Sequence, residues 1–79
     1  MDTGNKRDVK SDILDATDRL LARYGYKKMT IDDLARETGI GKGSVYLHFS
    51  SKQEIALSHI DRIVDRLTAR LRAIAAKDS

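Results

Sequence analysis

The sequence predicts an all-α fold, a small helical bundle. Apolar residues recur at the 3.6-residue helical period in the first and last thirds of the chain, glycines and capping pairs fall where those segments stop or start, and proline is absent. The 79 residues make one small domain, which on size scaling buries only about 60% of the surface its unfolded form exposes. Cysteine is absent as well, so neither a disulfide framework nor a thiolate metal site can form, and a reducing, cytoplasmic compartment is expected. No apolar run approaches the ~20 residues of a membrane span, and the polar amino terminus lacks the apolar core of a signal peptide.

Residues 1–8 are polar, include Gly4, Lys6 and Arg7, and read as a flexible arm. From Val9 to Tyr24 the stripe Val9, Ile13, Leu14, Thr17, Leu20, Leu21 and Tyr24 marks an amphipathic helix, with Asp8 as its cap and Gly25 at its end. Tyr26 to Met29 form a short link. A second helix, 31–38, opens at Thr30, which with Asp33 three residues on satisfies the orphan N–H groups of a first turn. Asp32 and Asp33 suit the positive end of its dipole, and Gly39 stops it. A short third helix spans about 42–48. The fourth, about 52–75, begins with a capping box of Ser51 and Glu54. Along it Ile60, Ile63, Val64, Leu67, Leu71 and Ile74 form a stripe about 100° wide, with Arg62 and Arg66 on the far side. The first half of that helix is expected to close the core over the first helix, whereas residues 61–79 outrun what three short helices can cover.

The second and third helices meet at a corner with defined requirements. A steep crossing needs a small residue at the contact, supplied by Ala35, and a turn residue tolerant of positive φ, supplied by Gly39. Ile40 fills the corner, and Val45 with Phe49 forms an i, i+4 pair that must face the core. At 100° per residue, Gly43, Ser44 and Leu47 then lie on the opposite side, flanked by Tyr46 and His48. A leucine exposed beside a glycine and a serine implies contact with something outside the chain. This is a helix-turn-helix whose second helix projects outward, the geometry of a DNA-reading module.

The charge distribution points the same way. Fifteen Lys and Arg against twelve Asp and Glu give a net charge of +3, which alone says little about partners. No acid occurs between Glu37 and Glu54, however, while Lys42, Lys52 and His48 do, so the basic excess acts locally.

Taken together, Ile13, Leu14, Ala16, Leu20 and Leu21, the Tyr24-Gly25-Tyr26 link, Thr30-Ile31-x-x-Leu34-Ala35, and above all Gly39-Ile40-Gly41-Lys42-Gly43-Ser44-Val45-Tyr46-Leu47-His48-Phe49 with Ser51-Lys52-x-Glu54 resemble the DNA-binding domain of the TetR (tetracycline repressor-like) transcriptional regulators. The resemblance covers roughly Val9 to Ile60. It implies a homeodomain-like three-helix core plus the start of a long fourth helix, a recognition helix at 42–48 in the major groove, and a palindromic operator of double-stranded DNA bound by a homodimer. It also implies a longer protein, with a carboxy-terminal domain that dimerises and binds an inducer; by itself this chain is expected to be mainly monomeric and to lack an inducer site. Where the family often has serine, this chain has Gly41, which puts one phosphate contact in doubt.

Within that scheme Thr30, Tyr46, His48 and Lys52 are the candidates for phosphate contact. Lys42 suits guanine O6 and N7 or a phosphate, Leu47 a thymine methyl, and Gly43, beside Ser44, permits close backbone approach. Lys6 and Arg7 are candidates for a minor-groove arm. Taken singly, the lysines read as solvated charge and Tyr46 as the rim of a core. Enzyme readings fail on inventory: His48 and His59 are the only histidines, so no metal site, nucleophile triad or cofactor is expected. Gly39-x-Gly41-x-Gly43-Ser44 lacks the spacing of a phosphate-binding loop and a preceding strand. The competing reading is a small protein-interaction module that docks through the apolar stripe of the fourth helix.

Overall fold

In the computed structural model, which describes residues 8–78, local capping groups bound the first two helices and start the fourth. There are four helices, α1 (Val9–Tyr24), α2 (Ile31–Thr38), α3 (Lys42–His48) and α4 (Lys52–Asp78), and no strand among the described residues. The first three match the expected spans, and α4 continues three residues past its expected end. Lys6 and Arg7 lie outside the described residues.

Asp8 caps α1 by accepting from the Ser11 N–H at 3.2 Å. Gly25 ends the helix with φ +84° and ψ 165°. That conformation is the extended positive-φ region open essentially to glycine, not the left-handed helical well. The link after it is a single turn, closed by the Met29 N–H on the Gly25 carbonyl at 3.2 Å. Thr30 and Asp33 form the complete capping box of α2. At the far end Gly39 takes a left-handed conformation, φ +79° and ψ 27°. There the Ile40 N–H reaches the Ala35 carbonyl at 3.0 Å and the Gly39 N–H reaches that of Arg36 at 3.3 Å, the Schellman pattern that satisfies the last orphan carbonyls.

The capping of α4 differs in one detail. Ser51 Oγ accepts from the Glu54 N–H at 3.1 Å as expected, but the Glu54 carboxylate reaches Ser50, accepting from its N–H at 2.7 Å and from its hydroxyl. These bonds, first from the Ser50 side chain and then from its backbone, hold the Glu54 carboxyl below its ordinary pKa, with a smaller contribution from the Lys10 charge.

The core is built around α1. Ile13, Ala16, Thr17 and Leu20 are buried along one face, with the Thr17 hydroxyl donating to the Ile13 carbonyl at 2.8 Å. Leu34 and Ala35 of α2, Val45 of α3, Phe49 just beyond it, Met29 of the link and Ile55 of α4 close over that face. Tyr24, placed on the stripe by periodicity, is exposed in the last turn of α1.

The packing of α4 departs from the sequence expectation. The stripe from Ile60 to Ile74 does not face α1; all six of its residues are exposed. The side turned to α1 carries Ile55, His59 and Arg62, of which Ile55 is fully buried and His59 nearly so. Arg62 Nη1 pairs with Asp15 Oδ1 at 2.9 Å, and His59 Nε2 lies 3.6 Å from Asp18 Oδ1. The physical reason is one of area. A single buried isoleucine with a salt-bridged polar shoulder suffices to seal a core this small, and the apolar stripe is left exposed.

Two stability measurements follow. Ile55→Ala leaves a cavity at the α1–α4 contact and should cost about 2–5 kcal/mol, enough to unfold much of a domain of this size. Glu54 has a depressed folded-state pKa, so its stabilisation is complete above about pH 4.3 and is lost as the pH falls through the lowered value. Glu54→Gln should therefore flatten the acid limb of a stability-versus-pH curve while leaving its alkaline limb unchanged.

Candidate nucleic-acid interface

A seven-residue helix has too few turns to be stable alone, so α3 is positioned by what it buries. Val45 is fully enclosed, and Phe49 is 3% exposed with its N–H on the Val45 carbonyl at 3.0 Å. Lys10 of α1 sits over the Phe49 ring, 5.6 Å from its centroid. With these two side chains fixed, the rest of the helix points outward. Leu47 is 83% exposed, more than any other large apolar residue described, and Tyr46 is 48% exposed. Lys42, Gly43 and His48 are exposed and Ser44 is half-buried.

The two glycines on this surface have no structural cause within the chain. A Cβ added at Gly41 or Gly43 would meet nothing within 4 Å, and neither residue has positive φ. Gly41 is the N-cap of α3 with no side-chain capping bond, and Gly43 sits in the first turn, where glycine costs up to about 1 kcal/mol relative to alanine. Folding would be served as well or better by serine and alanine. What the glycines provide is a flat approach to the amino end of α3.

Around this surface the polar groups differ in their freedom. Thr30, exposed at the start of α2, accepts from the Asp33 N–H at 3.0 Å and retains its O–H as a donor. Lys42 Nζ lies 3.3 Å from Asp32 Oδ1, both side chains being more than half exposed. The interval free of acids in the sequence is thus not free of them in space, because α2 brings a carboxylate to the first turn of α3. Lys52 is more tightly held than its sequence position implies. Its ammonium donates to the carbonyls of Tyr26 at 2.8 Å and Met29 at 3.0 Å and lies 4.3 Å from the Tyr26 ring centroid. It pins the first turn of α4 to the α1–α2 link, leaving one N–H for any further acceptor. Neither the Asp32 nor the Lys52 contact has a local sequence signal, since both join residues on different elements.

The profile of the tetR family of bacterial regulatory proteins matches residues 13–58. The chain belongs to this tetR family. Curated relatives agree. An HTH-type transcriptional regulator from the lacX 3' region of Lactococcus lactis subsp. lactis is 42% identical over 64 residues, covering 81% of this chain and 33% of that protein. The HTH-type transcriptional repressor KstR2 of Rhodococcus jostii is 33% identical over 75 residues, 95% of this chain and 37% of KstR2. The fold also superposes on solved members of the tetR family and related regulators. The fatty acid degradation regulator FadR from Bacillus halodurans gives a TM-score of 0.80 at 25% identity over 86% of this chain and 36% of that one. A TetR-family regulator from Haemophilus influenzae gives 0.74 at 34% identity over 78% and 34%. The chain therefore spans about a third or less of the length of the curated relatives it matches.

Lys52→Ala should lower thermal stability by about 1–2 kcal/mol, the worth of charge-assisted bonds to two carbonyls at a partly exposed site. Lys52→Arg, whose planar fork cannot reproduce that geometry, should recover only part of it. Gly41→Ser should move the midpoint the other way by a few tenths of a kcal/mol. Thermal melts of the three variants beside the parent read both effects.

Proposed function

We propose that this domain binds double-stranded DNA sequence-specifically as the DNA-reading part of a transcriptional regulator of repressor type, with α3 in the major groove. The observation that carries the reading is the outer face of α3. It combines a leucine 83% exposed with an adjacent glycine that no packing requirement of the chain explains, on a helix whose opposite side is anchored in the core. Major-groove docking gives both features a cause, because the groove admits a helix only at close approach and a thymine methyl is an apolar contact. Membership of a family of transcriptional regulators supports the same conclusion.

In this reading Gly43, Ser44 and Leu47 meet base edges with Lys42 beside them, while Thr30, Tyr46 and His48 hold phosphates and fix register. The remaining N–H of Lys52 makes it a minor phosphate contact. Residues 9–60 are the reading unit and 61–79 lead toward further chain of the kind its longer relatives carry. Two such units, paired in a longer protein, would read a palindromic operator; one alone reads a half-site weakly, because it lacks the gain of linkage. The role is non-enzymatic, and an inducer would act outside this domain. The docking alternative through the α4 stripe predicts no salt-dependent association with duplex DNA.

Selection of preferred duplexes from a random pool should yield a consensus half-site. Gly43→Val should fold, since its side chain meets open space, but lose that selectivity. Retention of normal operator binding by Gly43→Val would show that α3 does not enter the groove.

A further inference from the structure

We infer that Asp32 is an affinity-limiting residue of the DNA-binding surface, a resident carboxylate that occupies Lys42 until a phosphate or base edge displaces it. The inference rests on the DNA-binding reading above and concerns how strongly that same surface binds. Asp32 and Lys42 stand in the first turns of α2 and α3, and their Oδ1 and Nζ atoms are 3.3 Å apart. Both side chains are more than half exposed, at 62% and 54%, so the pair lies on the surface that incoming DNA must approach.

The capping of α2 does not require this carboxylate. Thr30 and Asp33 complete the capping box between them, and Asp33 also lies 3.7 Å from Arg36. Asp32 contributes only a dipole interaction to its helix. Its position nevertheless has a large consequence for the interface. From Ile40 to Gln53 the sequence holds no acid, and Lys52 is drawn inward onto two carbonyls. Lys42 is therefore the main outward lysine of the recognition helix, and the fold places an anion directly on it. An ammonium already partnered by a carboxylate must give up that partner and releases fewer counterions when it meets a phosphate, whatever the sequence. Asp32 accordingly weakens every duplex and lowers the salt dependence of binding.

The test uses the 79-residue chain, a mixed-sequence duplex and the selected half-site duplex, titrated at several salt concentrations with the parent, Asp32→Asn, Lys42→Ala and the double variant. Asp32→Asn is near-isosteric and leaves the capping box intact; thermal melts verify that all four proteins are folded. Asp32→Asn should tighten both duplexes about two- to fivefold at low salt, the worth of one surface ion pair. It should also steepen the plot of log affinity against log salt by up to about 0.9, one additional phosphate equivalent. Lys42→Ala should abolish that gain, so that the double variant binds like Lys42→Ala alone. Unchanged or weaker binding by Asp32→Asn, with the parent binding normally, would overturn the assignment and make Asp32 an orienting partner of Lys42 or a bystander. An equal gain without Lys42 would overturn it too, reducing Asp32 to simple repulsion. Failure of every protein to bind either duplex would overturn the DNA-binding reading and this inference with it.

Discussion

The outer face of α3 depends on the burial of two side chains. A helix of seven residues cannot hold its own conformation in water, and Val45 and Phe49 are what tie this one to the rest of the molecule. They belong to one core cluster with residues of α1, α2, α4 and the link, so the orientation of the proposed reading surface is a property of the whole core. The corner before α3 narrows the choice further. Gly39 at positive φ lets Ile40 double back onto the Ala35 carbonyl, which fixes the exit direction of the chain with hydrogen bonds that any larger residue there would strain.

With the direction fixed, the chemistry of the surface is set by which polar groups the fold leaves outward. Thr30 and Asp33 satisfy one another, Lys52 is consumed largely by the carbonyls of the α1–α2 link, and Asp32 shares Lys42. The proposed interface is therefore less basic than its composition implies. Its distinguishing features are steric, an open glycine shelf beside an exposed leucine and tyrosine. Such a surface draws little of its discrimination from net charge, since phosphate attraction is indifferent to sequence whereas fit against base edges is not.

The sequence was most legible where structure is decided within a few residues. The caps at Asp8, Thr30 and Ser51 and the glycine stops at 25 and 39 are local chemistry, and with them the bounds of α1 and α2 and the start of α4 could be read directly. The inward pair on α3 follows from helical pitch once one side must be apolar, and the exposure of Gly43 and Leu47 follows from the same count. What could not be read is non-local. Met29 sits in a four-residue link without periodicity, yet it is fully buried, because the turn closed on Gly25 carries it into the core cluster. The reach of Lys52 to Tyr26 and of Asp32 to Lys42 joins residues whose proximity only the packed structure creates.

The misjudged face of α4 shows why a hydrophobic stripe is not by itself a core. At 100° per residue, Ile55, His59 and Arg62 cluster within about 60° of one another, whereas the stripe from Ile60 to Ile74 is centred roughly 120° away. Periodicity detects the longer stripe because it has six apolar members against one. The helix nevertheless packs by its first two turns, since Lys52 and the Ser50–Glu54 contacts anchor it there, and Ile55 is the apolar residue that this anchor presents to α1. Rotation about the helix axis is then already decided before Ile60 is reached. The polar shoulder of His59 and Arg62 is tolerated against α1 because Asp18 and Asp15 face it, so a second, wholly apolar face remains on the other side of the same helix. One helix thus presents two surfaces of opposite chemistry, and the position of its first buried residue determines which of them belongs to the core.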